Sequence, residues 1–274
     1  MERTVLITGC SSGIGRATAE AFLDEEWTVY ATARNPADVQ TLGEREGCRI
    51  ASIDVTDPDD VERVVDEMLD ETGRIDCLVN NAGYGQIGPV EDVSTDAVEA
   101  QFDVNVFGPH RLVRAVLPAM RRREDGTIVN VSSVLGRTVV PGTGVYAASK
   151  HALEAMSDAL RSEVREFGVD VALVEPGPVD SMFEDRARAE LEGLDRSGAY
   201  ESFYGLYEDY DAVGGGGVGS IPPERVAEEI VNAASATKPA ARYPVGPLAK
   251  AGEVGRYVPT WLADGVWSLV RKLG

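Results

Sequence analysis

Residues 5–17 read VLITGCSSGIGRA: an apolar run, three glycines, then the start of a helix-like pattern. Glycine at Gly9, Gly13 and Gly15 lets the backbone come close to a pyrophosphate. A helix beginning among them offers unpaired N–H groups and positive dipole potential to the same anion. Glycine spacing alone is weak evidence; the strand before and the helix after give it meaning. The spacing is GxxxGxG, not the commoner GxGxxG.

The same strand-then-helix unit recurs along the chain. Apolar runs rich in Val and Ile predict strands at 4–8, 28–33, 49–54, 77–81, 127–132, 170–175 and 242–245. They lack strict alternation, as expected where both faces of a parallel sheet are covered. Helical patterns at 15–25, 58–71, 97–120, 146–166 and 223–236 separate them. "TDPDDVERVV" marks one helix start clearly, with Asp57 able to cap ahead of Pro58. Repeated βα units predict an α/β fold. The expectation is a single doubly wound Rossmann-type domain over 1–274, with a parallel sheet of about seven strands flanked by helices.

Two segments depart from this pattern. Residues 178–221 hold charged turns, the aromatics Phe203, Tyr204, Tyr207 and Tyr210, and a glycine run at 214–217. The segment is expected to be a mobile cover over a substrate pocket; the other reading is a surface excursion whose aromatics pack for stability alone. Residues 247–274 form a C-terminal extension, with Val258, Trp261, Leu262, Val266, Trp267, Leu269 and Val270 at partly helical spacing. It is expected to pack on the domain or on a second subunit. Membrane contact is not expected, because anionic lipid repels a chain of net charge −20.

Composition narrows the classes further. Hydrophobic residues make up 43% of the 274, enough for a substantial core. No apolar stretch is long enough to span a bilayer, and the N-terminus lacks a signal-peptide layout. Cys10, Cys48 and Cys77 are odd in number and share no CxxC spacing, which points to reduced thiols and a cytoplasmic setting. Neither His110 nor His151 sits in a ligand pattern, so no metal site is expected. Only four of the 26 basic residues are lysine, and the acidic ones are dispersed rather than gathered in a tail. Nucleic acid is disfavoured as a partner, because phosphate binding needs basic clusters. The charge fits either an ordinary acidic protein or, as favoured here, a surface suited to a high-salt cytosol.

The chemistry lies in GVYAASK at 144–150, where Tyr146 and Lys150 stand one helical turn apart. A free phenol has a pKa near 10, too high for a base at neutral pH. A nearby ammonium favours the phenolate, and the charge of an oxidised nicotinamide would add to it. Tyr146 could then give a proton to a carbonyl oxygen, or take one from an alcohol.

Taken in order, these motifs resemble the short-chain dehydrogenase/reductase family, and within it the steroid- and retinol-dehydrogenase-like branch. Thr8 precedes the glycine spacing, Asp54 and Val55 follow the third strand, and NNAG at 80–83 ends the fourth. Asn105 lies in the next helix, Ser132 and Ser133 end the fifth strand, YAASK follows, and PGPVDS occupies 176–181. The resemblance covers about residues 3–181, with Ser181 where threonine is usual. It implies a catalytic set of Asn105, Ser133, Tyr146 and Lys150. Ser133, thirteen positions before Tyr146, would bind the substrate oxygen, and Asn105 would anchor a water near Lys150 unless it is an ordinary buried amide. Gly9, Ser11, Ser12, Gly13, Ile14 and Gly15 would hold the cofactor phosphates. Asp54 and Val55 would lie at the adenine, and Asn81, Ala82 and Gly83 would approach the cofactor from the fourth strand. Tyr146, Lys150, Pro176, Gly177, Val179 and Ser181 would lie on the nicotinamide side.

Cofactor choice turns on the end of the second strand, VYATARNP. NAD enzymes generally carry a carboxylate there for the ribose 2′-hydroxyl. Here Ala33 holds the position and Arg34 follows. A guanidinium can bind a 2′-phosphate, so NADP(H) is preferred and NAD(H) remains possible, with Ser12 as a second contact. If Arg34 only solvates the strand end, that preference fails. The resemblance implies an NADP(H)-dependent short-chain alcohol dehydrogenase or carbonyl reductase. It would interconvert a carbonyl and a primary or secondary alcohol, on a hydrophobic small molecule, as a homodimer or homotetramer. The alternative is a non-catalytic NADP(H)-binding sensor on the same fold. Retention of all four catalytic-type residues speaks against that.

Overall fold

The computed structural model describes residues 2–208, 219–255, 258–262 and 264–265. Among these, seven strands form one parallel sheet: β1 (Thr4–Ile7), β2 (Thr28–Ala33), β3 (Cys48–Ser52), β4 (Cys77–Asn80), β5 (Gly126–Val131), β6 (Val169–Pro176) and β7 (Arg242–Val245). The order is β3-β2-β1-β4-β5-β6-β7. Around it lie α1 (Gly13–Asp24), α2 (Gln40–Gly43), α3 (Pro58–Thr72), α4 (Thr95–Phe102), α5 (Gly108–Arg123), α6 (Gly144–Val164), α7 (Phe183–Glu192), α8 (Glu201–Glu208), α9 (Pro223–Ser235) and α10 (Pro247–Gly255).

Each strand sends successive residues to opposite faces. Val5 and Ile7 of β1 join Phe22 of α1 and Val226 and Ile230 of α9 on one face. Leu6 joins Val64 and Met68 of α3 and Leu112 and Val116 of α5 on the other. Both faces are buried, which is why the strands read as continuous apolar runs. Asp57 caps α3 as expected, its carboxylate accepting Asp59 N–H at 2.9 Å ahead of Pro58. Gly73, at φ +71°, ends the same helix. No helix among the described residues is long and apolar enough to cross a membrane.

Where boundaries differ from the sequence pattern, the reason lies in the site. β1, β3, β4 and β5 stop short of Thr8, Asp54, Asn81 and Ser132, because those residues turn out of the ladder to build loops at the sheet's C-terminal edge. The helix expected at 97–120 is α4 and α5 joined by a π-turn, Asp103–Phe107. Pro109 has no N–H to give the carbonyl four residues back, which belongs to Asn105, and the helix widens there.

The segment 178–221 is more structured than its composition suggests. Its two ends meet in a parallel bridge between Val179 and Ile221, with Asp180 N–H donating to Ile221 O and Ile221 N–H to Pro178 O, each at 3.0 Å. Ala187, Leu191 and Tyr204 pack with Ile87 into a small core of their own. The Tyr204 hydroxyl donates to Asp92 at 2.6 Å and the Tyr200 hydroxyl to Glu91 at 2.6 Å, tying the segment to the loop after β4. Tyr210 and the glycine run at 214–217 lie outside the described residues, as do Val266, Trp267, Leu269 and Val270.

Candidate active site

Strand order reverses between β1 and β4, where the loops leaving the two strands part and open a crevice. Gly9 sits there at φ +74°, and a Cβ on it would lie 2.9 Å from Ala82 Cα. A Cβ on Gly15 would collide with the Gly9 carbonyl and the Asn81 amide. Asn81 fastens the turn, its Nδ2 donating to Thr8 O at 2.9 Å and Gly9 O at 3.1 Å. Thr8 Oγ1 in return accepts the Asn81 and Ala82 N–H groups, each at 3.1 Å. Ser12 is the N-cap of α1 but its side chain makes no capping bond. The N-terminal end of α1 therefore keeps donors for an anion, beside a backbone with no side chains in the way. These residues fit a dinucleotide phosphate.

The other predicted cofactor residues fall into three groups. Ser11, Ile14 and Gly13 belong to the same turn, and a Cβ on Gly13 would come 3.2 Å from Ser181 Cβ. The loop after β6, with Pro176, Gly177, Val179 and Ser181, thus closes on the glycine turn, and Gly177 N–H is held by Val245 O at 3.0 Å. Gly83 lies against Asn105, whose Oδ1 would be 3.0 Å from a Cβ there. Arg34 is exposed at the end of β2. Asp54 shapes its own turn, Oδ1 accepting Thr56 N–H at 2.9 Å and Thr56 Oγ1–H at 2.7 Å. The Val55 side chain is buried in the core beside Gly108, leaving only its backbone for a ligand.

The catalytic-type residues converge from three elements. Ser133 lies two residues past β5 and caps a short 3-10 turn, its Oγ accepting Leu135 N–H at 3.1 Å. Tyr146 is in the first turn of α6, its phenol buried and near enough to Ser133 for that hydroxyl to favour the phenolate. Asn105 is buried in the π-turn. Its Nδ2 donates to Tyr84 O at 3.0 Å and Ser149 Oγ at 3.1 Å, while Oδ1 accepts Tyr84 N–H at 3.2 Å. Both amide hydrogens are thus engaged in joining the post-β4 loop to α6.

One expectation needs correction. Lys150 was expected to pull the Tyr146 phenol down; here burial pushes the phenol up to about 12, with Ser133 opposing it. The Lys150 Nζ lies 5.8 Å from the centre of the Tyr146 ring and donates to Val131 O at 2.8 Å. Burial also drives the lysine down to about 8, with Glu154 holding it up. Desolvation is the largest cause for both groups.

Some neighbours carried no signal in the sequence. Phe183 of α7 packs on the Tyr146 ring and into the space beside Gly85. Arg186 lies over the Tyr84 ring at 4.7 Å. Gln101, fully buried, holds the same loop through Gln86 N–H at 2.6 Å and Tyr84 O at 2.7 Å.

A family model described as short chain dehydrogenase matches residues 3–192. The chain belongs to that family. Human retinol dehydrogenase 8 is 40% identical over 254 residues, covering 88% of this short-chain dehydrogenase and 80% of the human protein. A short-chain dehydrogenase from Streptomyces avermitilis superposes with a TM-score of 0.81 at 34% identity, over 99% of this chain and 98% of that one. The closed form of a serine dehydrogenase complexed with NADP+ superposes with a TM-score of 0.77 at 27% identity, over 89% and 95%. These likenesses place the protein among oxidoreductases of the retinol- and steroid-dehydrogenase-like branch.

Proposed function

We propose that this short-chain dehydrogenase is an NADP(H)-dependent oxidoreductase that interconverts a carbonyl and a primary or secondary alcohol on a hydrophobic substrate. The observation that carries the reading is the buried Tyr146 phenol with the Ser133 hydroxyl beside it, at the C-terminal edge of the sheet next to the glycine turn. NADP(H), when bound, supplies or accepts the hydride.

The chain's own residues do the rest. Gly9, Gly13, Gly15 and the N-terminus of α1 bind the phosphates, and Arg34 with Ser12 binds the 2′-phosphate. The NADP+ in the serine dehydrogenase supports that choice. Ser133 Oγ and Tyr146 Oη hold the substrate oxygen between them. Tyr146 gives its proton to that oxygen during reduction and takes it back during oxidation, while Ser133 stabilises the developing negative charge. Burial suits the reducing direction in particular: a phenol pushed up to about 12 keeps its proton until a partner oxygen arrives. Lys150 stands behind Tyr146 as its partner in the proton transfer, while Asn105 joins α6 to the neighbouring loop. Residues 178–221 cover the substrate, with Phe183 as the apolar wall over Tyr146.

The same reading takes the protein as cytoplasmic, in a high-salt cytosol, and as a homodimer or homotetramer through the helices carrying Asn105 and Tyr146. Phe107, half exposed on the first of these, is an apolar group such a contact would cover. The test is loss of NADPH absorbance with retinoid, steroid, aliphatic and sugar carbonyls, in low and in molar salt. Reduction of an apolar carbonyl, abolished in Tyr146→Phe, is the expected result. NADPH binding with no turnover of any carbonyl at any pH would overturn it and leave a sensor.

A further inference from the structure

Lys150 belongs to a line of ionisable groups that continues along α6 beyond the proton-transfer pair. Tyr146, Lys150, Glu154 and Asp158 recur every four residues along α6, and so share one stripe of the helix. Lys150 and Glu154 face inward, each only 6% exposed, and Asp158 at the end of the stripe reaches the surface. Opposite charges one turn apart, out of water, interact with little screening.

Arg242 of β7 clamps this stripe from outside the helix. Its Nη2 lies 3.0 Å from Glu154 Oε2 and 2.8 Å from Asp158 Oδ2. Its Nε faces Glu175 Oε1 of β6 at 3.1 Å, and Arg137 reaches that oxygen at 3.3 Å. Arg161 completes the set at 2.6 Å from Asp158. The ionisable groups around Lys150 are therefore Tyr146, Glu154, Asp158 and Arg161 on its own helix, with Glu175, Arg137 and Arg242 beyond it.

A buried network of this kind is a poor device for stability. Apolar residues of similar volume often do as well or better, because desolvating the ions costs several kcal/mol each. Its geometry suggests a use. Arg242 takes Glu154 Oε2, while Oε1 is buried and has no hydrogen-bond partner among the described residues. One oxygen is fixed by the clamp and the other has no hydrogen bond, one turn of helix from the lysine. That carboxylate is also the group that opposes the effect of burial on Lys150.

We propose that Glu154, clamped by Arg242, is a positioning residue that keeps Lys150 an ammonium behind Tyr146. The proposal rests on Tyr146 and Lys150 being the proton-transfer pair. It needs no new contact with substrate, since Glu154 acts through Lys150 alone.

The test uses a small number. The chain has four lysines, so protein labelled with 13C,15N-lysine gives few side-chain signals, and Lys150→Met assigns the one of interest. Its titration is followed in the intact protein, in the wild type, in Glu154→Gln and in Glu154→Asp. Glu154→Gln is expected to move the Lys150 midpoint down by about half a pH unit or more, roughly threefold in the protonation equilibrium, while Glu154→Asp stays near wild type. Should Glu154→Gln not fold, the double variant Glu154→Gln with Arg242→Gln removes both charges together and is expected to shift in the same direction. An unchanged midpoint in a folded neutral variant overturns the proposal. The readout needs no turnover, so failure to find a reducible carbonyl sinks the oxidoreductase reading without touching this measurement. Carbonyl reduction with an unmoved Lys150 sinks the Glu154 role alone.

Discussion

The Phe183 ring lies 5.6 Å from the Tyr146 ring, centroid to centroid, tilted by 56°. An aromatic from outside the sheet therefore forms one wall of the space over Tyr146. Phe183→Ala should raise KM for large apolar carbonyls by about tenfold while kcat changes less than about threefold, because uniform binding area is lost and proton transfer is not. Small, water-soluble carbonyls should be nearly unaffected. Michaelis curves for one substrate of each kind decide it; equal effects on both would show that Phe183 acts on the fold instead.

Gly15 has no room for a side chain against the Gly9 carbonyl and the Asn81 amide. Gly15→Ala must push the glycine turn away from the post-β4 loop. Cofactor affinity should fall by at least about tenfold, with a loss of stability of about 1–3 kcal/mol from the overpacked contact. Fluorescence titration with NADPH and a thermal melt measure the two separately.

Arg34 follows β2 with its side chain in solvent. If it binds the 2′-phosphate, Arg34→Ala should weaken NADPH by about ten- to hundredfold, the worth of a charge-assisted hydrogen bond, and leave NADH within about twofold. The effect should shrink in molar salt. An unchanged preference between the two cofactors would remove the assignment.

Lys150 couples function to stability. Its ordinary value is 10.5 and burial lowers it to about 8, so the folded state holds this proton less tightly than the unfolded one. Below about pH 8 the lysine is charged in both states and the cost of burying it is present in full. Between about 8 and 10.5 the unfolded chain keeps a proton that the folded chain has lost, so stability rises with pH over that window. Lys150→Met should accordingly gain about 1–3 kcal/mol at pH 7, after loss of the bond to Val131 O, and the gain should fade towards pH 10. Urea unfolding at pH 7 and pH 10 gives the comparison. A larger gain at the higher pH would contradict the sign.

Much of the scaffold was readable because parallel strands buried on both faces announce themselves as Val- and Ile-rich runs, and each glycine motif sits where a strand hands over to a helix. Tyr146 and Lys150 were readable as neighbours because four positions on one helix put them a turn apart, whereas Ser133 came only through the family resemblance. Phe183 was not, because only the closure of 178–221 brings it to Tyr146. The state of the phenol was not readable either. Spacing reveals that an ammonium is near, but burial decides the sign and appears only when β5, β6 and α6 are assembled. The π-turn at Asn105 lies between, since Pro109 marks it in the sequence but does not say how the helix will adjust.

The bridge between Val179 and Ile221 has an evolutionary consequence. The stretch between them leaves just after β6 and comes back to the same point just before α9, so its length and composition can change without altering the register of β6 against β7. If that stretch covers the substrate, grafting the 180–220 stretch of a relative onto this chain should carry selectivity across and leave the reaction itself unchanged.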